Sequence, residues 1–164
     1  MLIPHRRIVT GHDAHGKAIV ERDEIVEGYI TPTKDAQLTV LWSTDSFPCD
    51  NADTRDGKDL TTSLVNANGS VLRIVDMLPN ARSPFHRTTS LDYGIVIRGE
   101  VYLELDDGLE VLMRQGDIVM QRGTIHGWIN KSTEPATIAF VLIGARTLVF
   151  GGNELEPTHM PGIR

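Results

Sequence analysis

Side chains able to bind a metal or move a proton fall in two short stretches of this sequence. The first, Pro84-Phe85-His86-Arg87-Thr88-Thr89-Ser90-Leu91-Asp92-Tyr93, sets an imidazole, a hydroxyl and a carboxyl at positions of like parity. The second runs from Gly116 to Asn130 and holds Gln121, His126 and Trp128. Residues of like parity on an extended chain share a face. His86, Thr88 and Asp92 can therefore turn into one cavity, and His126 and Trp128 share a face of a later strand. Two imidazoles and a carboxylate that converge make the 2-His-1-carboxylate pattern, which suits a first-row divalent metal and leaves coordination positions open. Zinc, nickel, manganese and iron are all candidates for His86, Asp92 and His126. Without a metal, the same groups become hydrogen-bonding or acid–base residues of a closed pocket. Gln121 would orient a bound water or a substrate carbonyl if its strand turns it inward. Arg87, Tyr93 and Trp128 flank these groups as candidate pocket walls, with Trp128 serving equally as plain core.

The elements that must position these groups are strands. Short β-branched runs recur at 7–10, 17–20, 37–42, 71–75, 92–97, 101–105, 109–113, 118–121, 125–129, 137–143 and 147–150. Runs this short at this spacing predict an all-β sandwich or barrel. No segment sustains a helical apolar period, so helix should be scarce. Arg98-Gly99-Glu100, Asp106-Asp107-Gly108, Gln115-Gly116-Asp117 and Arg122-Gly123-Thr124 read as tight turns, which makes 92–143 a meander. His12 and His15 sit in another such turn with nothing nearby to complete a site. Met113, Met120 and Phe140 read as core. The stretch 43–62, rich in Asp, Asn, Thr and Ser, predicts a long surface loop. The stretch 151–164 predicts a loosely packed strap.

On these motifs the sequence resembles the cupin superfamily. The family's first motif runs Gly, five residues, His-x-His, three or four residues, Glu, six residues, Gly. His86 takes the first His position and Asp92 the Glu position, with Gly99 closing the motif. The second motif is matched by Gly116, the Arg122-Gly123-Thr124 turn, His126 and Asn130. The detailed likeness covers 83–143. It departs from the family at Asn80 for Gly, Arg122 for Pro, Asp92 for the longer Glu and, most consequentially, Thr88 for the second His. The resemblance implies a double-stranded β-helix, or jelly-roll, barrel with its site inside. A hydroxyl is a poor ligand beside imidazole, so the resemblance leaves both a weakened metal site and a metal-free pocket open.

With 164 residues the chain fits one domain over 1–164, with core motifs at about 71–150 and N-terminal strands within 7–42 extending the sheet. The net charge of −6 and scattered basic residues argue against a nucleic-acid surface. A single cysteine, Cys49, rules out an intrachain disulfide. No apolar run approaches the roughly 20 residues that span a bilayer, and charges occupy the place of a signal peptide's apolar stretch. A cytoplasmic protein without membrane contact is expected. Phosphate loops and nucleophile elbows are absent. The expected partner is a small organic substrate, aromatic or polyketide-like, as for the small stand-alone cupins of secondary-metabolite and aromatic-degradation pathways that the chain resembles. Non-redox lyase chemistry leads: dehydration, decarboxylation or cyclisation. An Fe(II)-dependent dioxygenase and a non-catalytic ligand-binding barrel are the alternatives. An exposed sheet edge predicts a homodimer.

Overall fold

A computed structural model describes residues 2–61 and 63–158. In chain order the strands are β1 (His5–His12), β2 (Ala18–Val26), β3 (Tyr29–Ile30), β4 (Ala36–Thr44), β5 (Ser70–Met77), β6 (Ser90–Arg98) and β7 (Glu100–Glu104). They continue with β8 (Glu110–Arg114), β9 (Ile118–Arg122), β10 (Gly127–Ile129), β11 (Ala136–Gly144), β12 (Leu148–Phe150) and β13 (Asn153–Leu155). Helix is confined, among the described residues, to single 3-10 turns at Gly57–Asp59 and Asp106–Gly108, and no helix is long and apolar enough to cross a membrane.

Six strands form one antiparallel sheet in the order β3-β4-β5-β11-β6-β9, and three form a second in the order β10-β7-β8. Their inward side chains meet in one core. Val71, Met77, Val96, Ile138 and Phe140 come from the first sheet, and Val101, Leu103, Met113 and Trp128 from the second. The Trp128 indole meets the Phe140 ring edge-on, with centroids 5.5 Å apart, and so joins the two sheets. Strand alternation sorts the faces, as in β6, where Ser90, Asp92, Gly94 and Val96 turn inward. Met120 falls on the opposite parity of β9 from Gln121 and is 61% exposed, so it belongs to the outer surface and not to the expected core.

The turn chemistry fixes the meander. Gly99, Gly116 and Gly123 take positive φ, as does Gly108 beside Asp107, conformations that cost glycine little. Asn80, at the place where the family motif has glycine, is itself left-handed at φ 55°. The His12–His15 turn is local, with the Asp13 carboxylate accepting from the His15 and Lys17 backbone N–H groups.

The N-terminal strands depart from expectation. β3 and β4 join the six-stranded sheet, but β1 and β2 form a hairpin of their own. Side chains moor that hairpin. The buried Arg7 guanidinium donates to Glu24, Asp56 and the Leu41 carbonyl, tying β1 to the loop after β4. The Ile3 backbone exchanges hydrogen bonds of 2.8 and 2.6 Å with the Gln37 amide. The tail pairs briefly as β12–β13. Residues 159–164 of the expected strap, and Thr62 of the expected loop, lie outside the described residues.

Candidate functional site

A cavity between the two sheets is lined by His86, Thr88, Asp92, Gln121, His126 and Trp128, together with apolar side chains such as Leu38, Val75 and Phe140. The two histidines are set by backbone. His86 and His126 form an isolated antiparallel bridge, each N–H donating to the other's carbonyl at 2.9 and 3.0 Å. The bridge places their rings 4.3 Å apart between centroids. Each ring is then oriented the same way. Nδ1 of His86 lies 3.0 Å from the Pro84 carbonyl, and Nδ1 of His126 lies 3.0 Å from the Thr124 carbonyl. A carbonyl only accepts, so Nδ1–H donates and Nε2 is left as the acceptor. Burial lowers both pKa values, and for His126 burial together with the neighbouring His86 brings it down to about 4. Both shifts favour the neutral imidazole.

Asp92 enters from β6 and is 2% exposed. Its Oδ2 accepts from the Thr88 hydroxyl at 3.1 Å, while Oδ1 is buried without a partner. Desolvation raises its pKa from the ordinary carboxylate value, against the opposing pull of the Ser90 and Thr88 hydroxyls and the Arg73 charge. Gln121 stands directly opposite Asp92 in the β6–β9 register. It faces inward, and its Nε2 is buried with no partner.

These groups share a cavity, but they do not assemble the expected metal triad. Among the described residues, no three His, Cys, Asp or Glu side chains are grouped as a metal ion requires. The histidines keep Nε2 uncommitted, and Asp92, with Oδ2 on the Thr88 hydroxyl and Oδ1 without a partner, is not grouped with them. A centre held by His86, Asp92 and His126 therefore does not fit this arrangement.

Two expected pocket walls lie elsewhere. Tyr93 is 37% exposed, because it has the opposite parity from Asp92 on β6. Arg87 alternates away from His86 and Thr88; its Nε donates to the Gly123 carbonyl at 3.0 Å and its backbone N–H to the Thr158 hydroxyl at 2.6 Å, so it anchors the tail. The cavity also holds residues the sequence reading passed over: Thr31, Asp35 and Arg73. For Arg73 a signal existed, since Val71-Leu72-Arg73-Ile74-Val75 sets a cation in the middle of an apolar strand.

The comparisons agree with this architecture. The cupin domain family matches residues 73–144. The cupin-domain-containing oxidoreductase fogC of Aspergillus ruber is 36% identical over 157 residues, covering 92% of this chain and 77% of that protein. The cupin-domain-containing oxidoreductase virC of Hypocrea virens is 37% identical over 150 residues, covering 87% and 77%. Among solved structures, the polyketide cyclase RemF of Streptomyces resistomycificus superposes with a TM-score of 0.54 at 20% identity, over 74% of this chain and 75% of that one. That last likeness is one of fold.

Proposed function

The chain belongs to the cupin family, and from that premise we propose that it is an enzyme of secondary metabolism that transforms a small organic acid-base-labile substrate inside the barrel by proton transfer. The observation that carries this reading is Asp92, a buried carboxyl on the cavity wall with one oxygen held by Thr88 and the other uncommitted. Desolvation raises its proton affinity above that of an exposed carboxyl, the direction that suits a group which must both take and return a proton. His86 and His126 offer neutral Nε2 acceptors to a substrate hydroxyl. Gln121 donates to a carbonyl, and Trp128 and Phe140 exclude water along an apolar wall. Together these residues can abstract a proton beside a carbonyl and return one to a leaving hydroxyl or a new carbanion. That suits dehydration, decarboxylation or cyclisation.

A second reading is favoured by relatives named as oxidoreductases. It requires a redox partner, and the protein's own side chains supply two imidazole nitrogens toward one.

Comparing the metabolites of a host with and without this gene identifies the accumulating substrate, which is then given to the purified protein. A product differing by water or carbon dioxide, or an isomer, with no oxygen consumed, supports proton-transfer chemistry. Stoichiometric oxygen uptake overturns it in favour of the oxidoreductase. Asp92→Asn should slow turnover by about 10²-fold or more, the usual scale for losing a general acid or base, with the metal content of the protein unchanged.

A further inference from the structure

Arg73 has no part in that proton transfer, yet its surroundings demand an account. It lies mid-strand in β5, paired in register with Val40 on one side and Phe140 on the other. It shares its face of the strand with Val75 and Met77, and all three line the cavity. The residue is 2% exposed. Nη2 donates to the Ser63 and Leu64 carbonyls at 3.3 and 3.1 Å, whereas Nε and Nη1 are buried with no partner. Desolvation lowers its pKa to about 10, so it stays cationic at neutral pH.

Nearby carboxyls do not answer that charge with a hydrogen bond. Asp35 shares the cavity, but its Oδ1 accepts from the Thr31 and Thr33 hydroxyls. Asp92 keeps Oδ1 unpartnered although Arg73 faces the same space. Burying a guanidinium whose donors are unmet is costly, and such groups are almost always paired. Gln121 adds a further unmet donor to the same cavity. Uncommitted donors around one positive charge, in a pocket walled by Trp128 and Phe140, describe a receptor for an anion with an apolar body.

We propose that Arg73 is the substrate-anchoring residue of the cavity and that the substrate carries a carboxylate, bound by the free guanidinium N–H groups with Gln121 as a second donor. The proposal rests on the reading of this cavity as the substrate site. It also supplies orientation: an acid fixed at β5 presents its remaining carbons toward Asp92 on β6.

The probes are formate, acetate and benzoate, each against its neutral amide, with the full chain at pH 7. The readouts are the dissociation constant and the Arg73 Nε–H resonance in an ¹⁵N spectrum. At least one carboxylate should bind about tenfold or more tightly than its amide, the scale of a charge-assisted hydrogen bond, and should shift that resonance. Arg73→Met keeps the apolar stem and should fold, with its melting temperature unchanged or raised, while losing the preference. Arg73→Lys should retain it. Should the Met variant fail to fold, the wild-type comparison and the Lys variant decide. Equal binding of acids and amides, no binding of any acid, or a Met variant that still prefers acids overturns the proposal. Asp92→Asn separates the two readings. If it turns over normally while acids still select through Arg73, the acid–base role falls and the anion site stands.

Discussion

Thr88 decides more of the site's chemistry than its size suggests. Its hydroxyl donates to one oxygen of Asp92 and leaves the other without a partner. Thr88→Val removes that donor, so the carboxyl should be harder still to ionise and the acid limb of the pH–rate profile should move upward. An unmoved limb would show that Thr88 does not tune Asp92. Thr88→His restores the imidazole that the family motif places at this position. It should raise the zinc retained by the chain through gel filtration above the wild-type level, because a third nitrogen then joins Nε2 of His86 and His126. Asn80 makes a smaller, separable case. Its left-handed backbone predicts that Asn80→Gly is tolerated within a few tenths of a kcal/mol. Asn80→Ala should cost about 1 kcal/mol in urea unfolding, the usual penalty for an alanine in that region.

At the scale of elements, the β1–β2 hairpin depends on Arg7. Glu24 and Asp56 keep some contact with solvent, so Arg7→Met should destabilise by about 2 kcal/mol, below the value for a fully buried pair. The Arg7 guanidinium holds the Asp56 carboxyl well below the usual range. A carboxyl with a lowered folded pKa contributes stability that is complete above its unfolded pKa and is lost as pH falls through the acid range. The gap between wild type and Arg7→Met should therefore be full at pH 7 and shrink below about pH 4. A constant gap would mean that Arg7 acts by packing alone. The strands and turns of the meander were legible in the sequence because alternation and positive-φ glycines are local signals. The mooring of β1–β2 was not, since it depends on Arg7 meeting Asp56, far away along the chain. Likewise, parity correctly placed His86, Thr88 and Asp92 in one cavity. It could not reveal that Asp92 would bind Thr88, because that depends on where two side chains stop within the cavity. Tyr93 and Arg87 were read as pocket walls by proximity in sequence, although alternation turns both away.

For the whole molecule, β9 ends the six-stranded sheet and carries Ile118 and Met120 outward, beside Tyr93 on β6. An open edge flanked by apolar side chains invites pairing. We propose a homodimer, which light scattering at micromolar concentration should detect. Met120→Glu, outside the cavity, should shift it toward monomer with ligand binding intact. A wild-type monomer would refute this.

The reciprocal backbone clasp between His86 and His126 has a consequence for how substrate is received. Rings held by main-chain hydrogen bonds and by carbonyls within their own turns have little rotameric freedom left to surrender when a ligand arrives. Binding should then proceed with a small entropic penalty on the protein side. It should also leave the order of the His86 and His126 rings nearly the same before and after, so that selection falls on the shape and charge of the incoming molecule.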